Sequence, residues 1–356
     1  MVAISRGTIP SLDGLRAVAV AIVIWGHAGL PGPLPGSIGV TIFYFLSGYL
    51  ITTLLRREAD RTGSISLRGF YLRRVLRIQP SLYVVLGLAV ALSLAQVLPN
   101  RMTAWGAVSG ATFWQNYYII GAGRDGLPIG MNALWSLAVE EHFYLLFPVL
   151  YLLLRRLLPD RRQQAAVLAL VCVAILVWRI VLVGQGAGYD RLYLASDTRA
   201  DSILWGCVLA LTWNPADMAA PRRTWPWSVA ALAAGALFWA VALLPQPVVF
   251  TAGYTVQALL LGVVFVAVVR APRSLPGRLL NLRPVAYVGV LSYSLYLVHR
   301  PILELLAAAV PSRPVALAAA LAAMLVAALL LRFGVERPIE RVRRRLRPAG
   351  GPSRPG

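Results

Sequence analysis

Long apolar runs alternate with short polar segments along the whole chain. Candidate spans lie at 15–31, 36–55, 78–98, 134–154, 164–184, 199–213, 228–245, 250–270, 285–309 and 315–333. A helix rises 1.5 Å per residue and needs about 20 apolar residues to cross a hydrocarbon core ~30 Å thick, so these runs predict an all-α, polytopic helical membrane protein. One further stretch, AWGAVSGATFWQNYYII (104–120), has the length of a span but carries Ser, Thr, Gln and Asn. Charge bias decides its place. Arginine blocks fill 56–77, 155–162, 222–223, 270–283 and the segment from 337, and together they hold 24 Arg. The intervening loops on the opposite side hold four: Arg101, Arg124, Arg191 and Arg313. Arginine-rich loops stay cytoplasmic, and all five blocks fall on one side only if 104–120 does not cross. The pattern therefore predicts about ten transmembrane helices with both termini cytoplasmic, and an extracytoplasmic, re-entrant segment over 99–133. It also predicts one transmembrane domain over 1–336 and a basic, Pro/Gly-rich, disordered cytoplasmic tail over 337–356, near anionic lipid headgroups.

Composition sharpens the class. The chain has 356 residues, 58% of them hydrophobic, with a mean hydropathy of +0.69, outside the range of soluble domains. Its net charge of +20 comes from 34 basic residues, all Arg. Because they sit in blocks between apolar runs, the partner implied is the lipid bilayer and not nucleic acid. Cys172 and Cys207 both fall in predicted spans and read as small apolar residues without a disulfide. The first apolar run resembles a signal peptide in length but lacks a small-x-small cleavage site, which predicts an uncleaved first helix.

Charges inside spans cost several kcal/mol, roughly 2.5–3.5 on insertion scales, so each is a functional candidate. Arg16 and His27 are eleven residues apart in the first span. That separation is within about 20° of three helical turns and spans ~16 Å, so both share one face, Arg16 at the inner end and His27 in the outer half. ALWSLAVEEHFYLLFPVL (133–150) places Glu140, Glu141 and His142 in the outer half of the fourth span. LSYSLYLVHRP (291–301) places His299 at a similar level in the ninth, and SDTRADSILWG (196–206) sets Asp197, Arg199 and Asp201 at the outer mouth of the sixth. Histidines and carboxylates thus gather at one depth. At the inner level, FYLRRVLRIQP (70–80) carries Arg73, Arg74 and Arg77. Arg74 and Arg77, at i and i+3, present planar forks suited to phosphate on one face. These arginines also fit a plain cytoplasmic anchor, His27 and His299 also fit interhelical hydrogen bonding, and Arg179 is an isolated intramembrane arginine with no role in the pattern. No metal-spaced His/Cys set, Gly-x-Ser-x-Gly elbow or phosphate-binding glycine loop is present.

Taken together, these motifs resemble acyltransferase family 3, bacterial membrane-bound O-acyltransferases. Arg16 and His27 fit that family's basic residue, ten positions, histidine pattern. FYFLSGYLI (43–51) resembles its second helix, and Arg74–Arg77 its RxxR. WSLAVEEHFYLLFPVL resembles its Trp-Ser-Leu, Glu-Glu, Phe-Tyr signature, with His142 where glutamine is more usual. The resemblance spans all ten predicted helices and makes 1–336 an acyltransferase domain in a cell membrane. It implies acyl-CoA as donor, a sugar hydroxyl on a surface glycan or a glycosylated metabolite such as a macrolide as acceptor, and no metal. Arg16, Arg73, Arg74 and Arg77 would hold the donor phosphates, and His27 would act as general base with Glu141 or Glu140 orienting it. Tyr144, Tyr296 and Arg199 are oxyanion-donor candidates, and Asp197, Asp201 and His299 complete the expected substrate-binding set. Direct transfer is expected over an acyl-enzyme, since nothing in the sequence marks Ser47 or Ser136 as activated. Some family members carry a C-terminal hydrolase-like domain; its absence from this sequence implies that the acceptor reaches the membrane site itself. The rival class is a transporter or flippase with a buried His/Glu proton relay, disfavoured by the inner arginine group and the lack of an evident inverted repeat.

Overall fold

The computed structural model describes residue 9, residues 11–32 and residues 34–345, and every regular element among them is helical. The first half carries α1 (Leu12–His27), α2 (Ser37–Thr62), α3 (Leu67–Leu94), α4 (Ala104–Ala111), α5 (Gln115–Ala122), α6 (Trp135–Leu157), α7 (Arg161–Gly184) and α8 (Tyr189–Leu194). The second half carries α9 (Ser196–Thr212), α10 (Trp225–Ala242), α11 (Gln246–Val248), α12 (Tyr254–Arg270), α13 (Leu275–Leu280), α14 (Arg283–Ala309), α15 (Arg313–Leu331) and α16 (Arg337–Arg345). π-Helical turns join α11 to α12 and α15 to α16.

Seven helical stretches among the described residues are long and apolar enough to cross a membrane, and the chain is a multi-pass plasma-membrane protein. They are Ser37–Thr62, Leu67–Leu94, Met131–Leu157, Arg161–Gly184, Trp225–Ala242, Gln246–Arg270 and Arg313–Val342. Three other predicted spans fall on α1, α9 and α14, of 16, 17 and 27 residues, which carry most of the candidate histidines and acids. Those three sit inside the bundle: α1 packs between α2 and α14, and α9 against α2, α7 and α12. The apolar window of α2 is 78% buried, against 17% for α10, so α2 is central and α10 peripheral. Peripheral helices turn Leu, Val and Trp outward, as a lipid solvent requires. Helix α2 meets α9 so closely that a Cβ on Gly48 would lie 1.9 Å from the Ile203 carbonyl oxygen, and one on Gly206 2.3 Å from that of Phe45. Small residues at a crossing let the backbones approach, which is how helices gain packing in lipid.

Two stretches differ from the pattern's expectation, and the ambiguous one between them takes a definite form. Helix α3 begins eleven residues before the predicted span, because the Ser66 hydroxyl accepts from the Gly69 amide and caps a helix that runs through the arginines. The stretch 104–120 forms two eight-residue helices, α4 and α5, broken at Phe113 (φ 59°). Its polar residues pack inward: Gln115 donates to the Met131 carbonyl at 2.7 Å and Asn116 to that of Leu194 at 3.2 Å. The start of the expected disordered tail, 337–345, is helical, and residues 346–356 lie outside the described residues.

Candidate active site

A cavity of about 790 Å³, counting the space at its mouth, opens between α1, α2, α3, α6 and α14. Arg16, Arg74 and Arg77 line it together with Ser47, Ser136, Glu140, Tyr144, Tyr293 and Tyr296. Helix α1 contributes Arg16, which pairs with Asp13 one turn earlier at 2.9 Å. Helix α3 contributes Arg74, whose guanidinium carbon lies 3.8 Å from the centroid of the Tyr144 ring, within cation–π range. Arg74 Nε is buried without a hydrogen-bond partner. Tyr144 donates to Glu140 Oε2 at 2.6 Å, Ser47 donates to the same oxygen at 3.1 Å, and the two hydroxyls stand 2.8 Å apart. Arg73 does not line the cavity: it pairs with Glu58 of α2 at 3.1 Å, and Glu58 also accepts from the Ser66 amide. Arg73 therefore ties the α2–α3 turn.

Above this cavity, the last residue of α1 meets α14. His27 Nδ1 is 2.9 Å from His299 Nε2, and His299 Nδ1 donates to the Tyr296 carbonyl at 2.6 Å. His299 is fully buried, whereas His27 is exposed. The Tyr296 hydroxyl donates to the Ala133 carbonyl at 2.9 Å and is 2.5 Å from Ser136 Oγ. Tyr296 thus joins the cavity wall to the histidine pair. The expected carboxylate partner of His27 is not there. Glu140 is held on the α2–α3 side by Ser47 and Tyr144, and Glu141 Oε1 is buried without a partner. The physical reason is packing: at the level of His27, helix α1 lies against α14, while α6 packs against α2, α3 and α9.

The outer acids also differ from expectation. Asp201 is fully buried against Arg179, with oxygen–nitrogen contacts of 2.7 and 2.8 Å, and accepts from Thr255 Oγ1 at 2.8 Å. Arg179 further donates to Thr255 Oγ1 and to the carbonyls of Thr198 and Thr251. Asp201 is therefore the counter-ion of Arg179, joining α7, α9 and α12, and does not line the cavity. Asp197 is gripped by Arg191 and by Trp178 Nε1, 2.8 Å away. Arg199 is fully buried in an aromatic box, 3.6 Å from the Tyr254 ring centroid, with Tyr44 and Tyr193 beyond. Its Nη2 donates to Thr41, while Nε and Nη1 have no partner. His142 bonds Ser196 Oγ at 2.7 Å and stacks on Tyr117, linking α6 to α5 and the α8–α9 junction.

A second, polar groove includes Asn100, Arg101, Arg124, Asp125, Asn132, Arg300 and Glu304 in its lining. Arg124 forms a two-pronged ion pair with Asp190 at 2.5 and 2.6 Å, which holds the Arg124 proton more firmly than usual. Gly130 (φ +69°) lies so close to α14 that a Cβ there would be 2.3 Å from Pro301 Cα, which seats the groove beside His299 and Arg300. Sequence reading missed this groove, whose residues come from the 99–133 segment and the far end of α14. It also set Ser47 aside, although the hydroxyl sits between Glu140 and Tyr144. Among the described residues no cluster of three His, Cys, Asp or Glu is placed to hold a metal ion.

Comparison with known proteins places this geometry in context. Residues 9–333 match the family model described as an acyltransferase domain, Acyl_transf_3. The peptidoglycan O-acetyltransferase OatA of Listeria monocytogenes is 33% identical over 319 residues, which cover 85% of this chain and 50% of that protein. The putative peptidoglycan O-acetyltransferase YrhL of Bacillus subtilis is 33% identical over 311 residues, 83% of this chain and 49% of that protein. The O-acetyltransferase OatA of Staphylococcus aureus is 31% identical, covering 83% and 50%. The chain spans about half the length of these curated relatives. No solved structure matches.

Proposed function

Because this chain belongs to acyltransferase family 3, we propose that it moves an acetyl group from acyl-CoA to a sugar hydroxyl of a cell-envelope glycan of the peptidoglycan kind. The observation that carries the reading is the cavity itself, which has arginines at one end and Tyr296, the anchor of the His299–His27 pair, at the other. On this reading α1, α9 and α14 cross the membrane with the seven apolar helices, giving ten spans with both termini and the arginine blocks cytoplasmic.

The residues present fit such a donor. Arg74 carries a buried, unpaired N–H at the cavity wall, and Arg16 and Arg77 line the same space. Guanidinium forks bind phosphate through charge-assisted hydrogen bonds, so these three would hold the diphosphate of CoA. Arg73, committed to Glu58, supports the turn that presents them. The ~16 Å helical rise from Arg16 to His27 is the order of a pantetheine arm's length. The acceptor enters from the polar groove beside Arg300. His27 takes the hydroxyl proton as the new O–C bond forms, the thioester C–S bond breaks, and the proton passes to the departing thiolate. Tyr144 and Tyr296 hydroxyls line the cavity, and the Arg199 charge behind Tyr44 favours the oxyanion through an interior of low dielectric. Asp197 orients the outer mouth through Arg191.

Purified protein in lipid vesicles, supplied with acetyl-CoA inside and soluble peptidoglycan fragments outside, tests this by mass spectrometry. The expected product is a fragment heavier by one acetyl group, lost in His27→Ala with the protein still folded and inserted. Equal product from His27→Ala removes the proposed base, and no product from the parent protein removes the reading.

A further inference from the structure

We infer that His299 is the positioning residue of His27: it fixes the His27 tautomer so that Nδ1 carries the proton and Nε2 is left bare as the proton acceptor. The inference rests on the acyl-transfer reading above for its catalytic meaning, though its geometry stands without it. A backbone carbonyl only accepts, so the 2.6 Å contact to Tyr296 requires a proton on His299 Nδ1. His299 is fully buried, and no carboxylate forms an ion pair with it among the described residues. The neutral ring then has a lone pair on Nε2. His27 Nδ1, 2.9 Å from that lone pair, must therefore donate. With Nδ1 donating to His299, Nε2 is the His27 nitrogen left to accept a proton; the Val23 carbonyl, one turn back on α1, is a second acceptor beside the ring, and His27 is the exposed member of the pair.

This is the arrangement of a base–orienter pair, with an imidazole where a triad has a carboxylate. The substitution has a physical counterpart at the helix end. His27 closes the last turn of α1, where the aligned peptide dipoles favour positive charge within roughly one turn. Against the opposing charge of Arg300 on α14, the α1 dipole thus favours the imidazolium formed when Nε2 takes the acceptor proton. Its Nδ1–H remains bonded to His299, and the Tyr296 carbonyl polarises that ring in turn. No net charge is needed on the orienting group. The same chain of contacts leads through the Tyr296 side chain to the cavity that would hold the acyl donor, because its hydroxyl spans Ala133 and Ser136 of the opposite wall. Moving Tyr296 would move both the wall and the base.

The protein has only three histidines, His27, His142 and His299, so 15N-imidazole labelling in lipid bilayers gives a readable spectrum that does not require turnover. In the parent protein, His27 is expected with Nδ1 protonated and Nε2 bare. His299→Phe removes the acceptor, and His27 is expected to shift towards the Nε2–H form, with kcat down by ~100-fold or more and donor and acceptor KM unchanged. His299→Gln keeps an acceptor at the position of Nε2 and is expected to restore the parent tautomer and kcat to within about tenfold. A parent spectrum with His27 protonated on Nε2 overturns the inference, as does His299→Phe with the parent tautomer and kcat. If the parent spectrum is as expected but no donor supports transfer, the acyl-transfer reading fails and the positioning geometry stands.

Discussion

Asp201→Ala is expected to unfold the protein more than it weakens substrate binding. The sequence placed Asp201 at an outer mouth, ready for an acceptor. In the structure both Asp201 and Arg179 are completely buried, and the arginine makes four hydrogen bonds beside its ion-pair contact, to Asp201, Thr255 and the carbonyls of Thr198 and Thr251. Removing the carboxylate takes away the neutralising charge, one arginine hydrogen bond and the Thr255 acceptor. It leaves a guanidinium inside a helix bundle with no counter-charge. Breaking a buried pair from one side costs about 3–5 kcal/mol, roughly a 10²- to 10⁴-fold fall in the folded-to-unfolded ratio. The double variant Arg179→Met/Asp201→Leu removes both charges at similar volume and is expected to recover most of that loss, since an apolar replacement of a buried pair is often neutral. Thermal unfolding of the parent, single and double variants in lipid nanodiscs measures both effects, and acceptor KM is read on whatever remains folded. Parent-like stability of Asp201→Ala together with a large rise in acceptor KM would refute the structural assignment and return Asp201 to the substrate.

Two further expectations follow from other parts of the molecule. Arg74→Leu keeps the helix but removes the guanidinium, with its unpaired Nε–H and its cation–π contact on Tyr144, so the donor KM is expected to rise roughly 10- to 100-fold while the acceptor KM is unchanged; an unchanged donor KM makes Arg74 a membrane anchor. Cys172 and Cys207 are buried, so single cysteines placed at exposed Arg101 and Arg223 report topology. A membrane-impermeant maleimide applied to intact cells is expected to label position 101 alone, and labelling of position 223 would overturn the ten-span map.

Much of the architecture is legible because hydrophobic periodicity is local. The ten predicted spans fall on ten long helices, and the polar residues of 104–120 lie where the chain forms two eight-residue helices in place of one membrane-length helix. The Arg16–His27 spacing is equally local, since one helix carries both residues. What sequence could not supply is pairing. His27 and His299 are 272 residues apart, and Glu140 and Ser47 are 93 apart. Which imidazole meets which partner depends on helix crossings that no periodicity encodes. Depth alone therefore grouped Asp201 and His299 with Glu140, and left Arg179 without a role. The structure separates these groups by a physical criterion: a buried polar atom needs a partner, and one without it is where a ligand gains most. Arg179 is satisfied by its neighbours, which makes it part of the scaffold. Arg74 Nε and Glu141 Oε1 are buried and unsatisfied close to one cavity, and Arg199 Nε and Nη1 are unsatisfied just behind its Tyr44 wall. Buried atoms without a hydrogen-bond partner also occur away from the cavity, at Gln164, Ser202 and Trp205 among others, so it is the coincidence of an unpaired, charged group with an open cavity, met at Arg74, that marks where chemistry is to be sought.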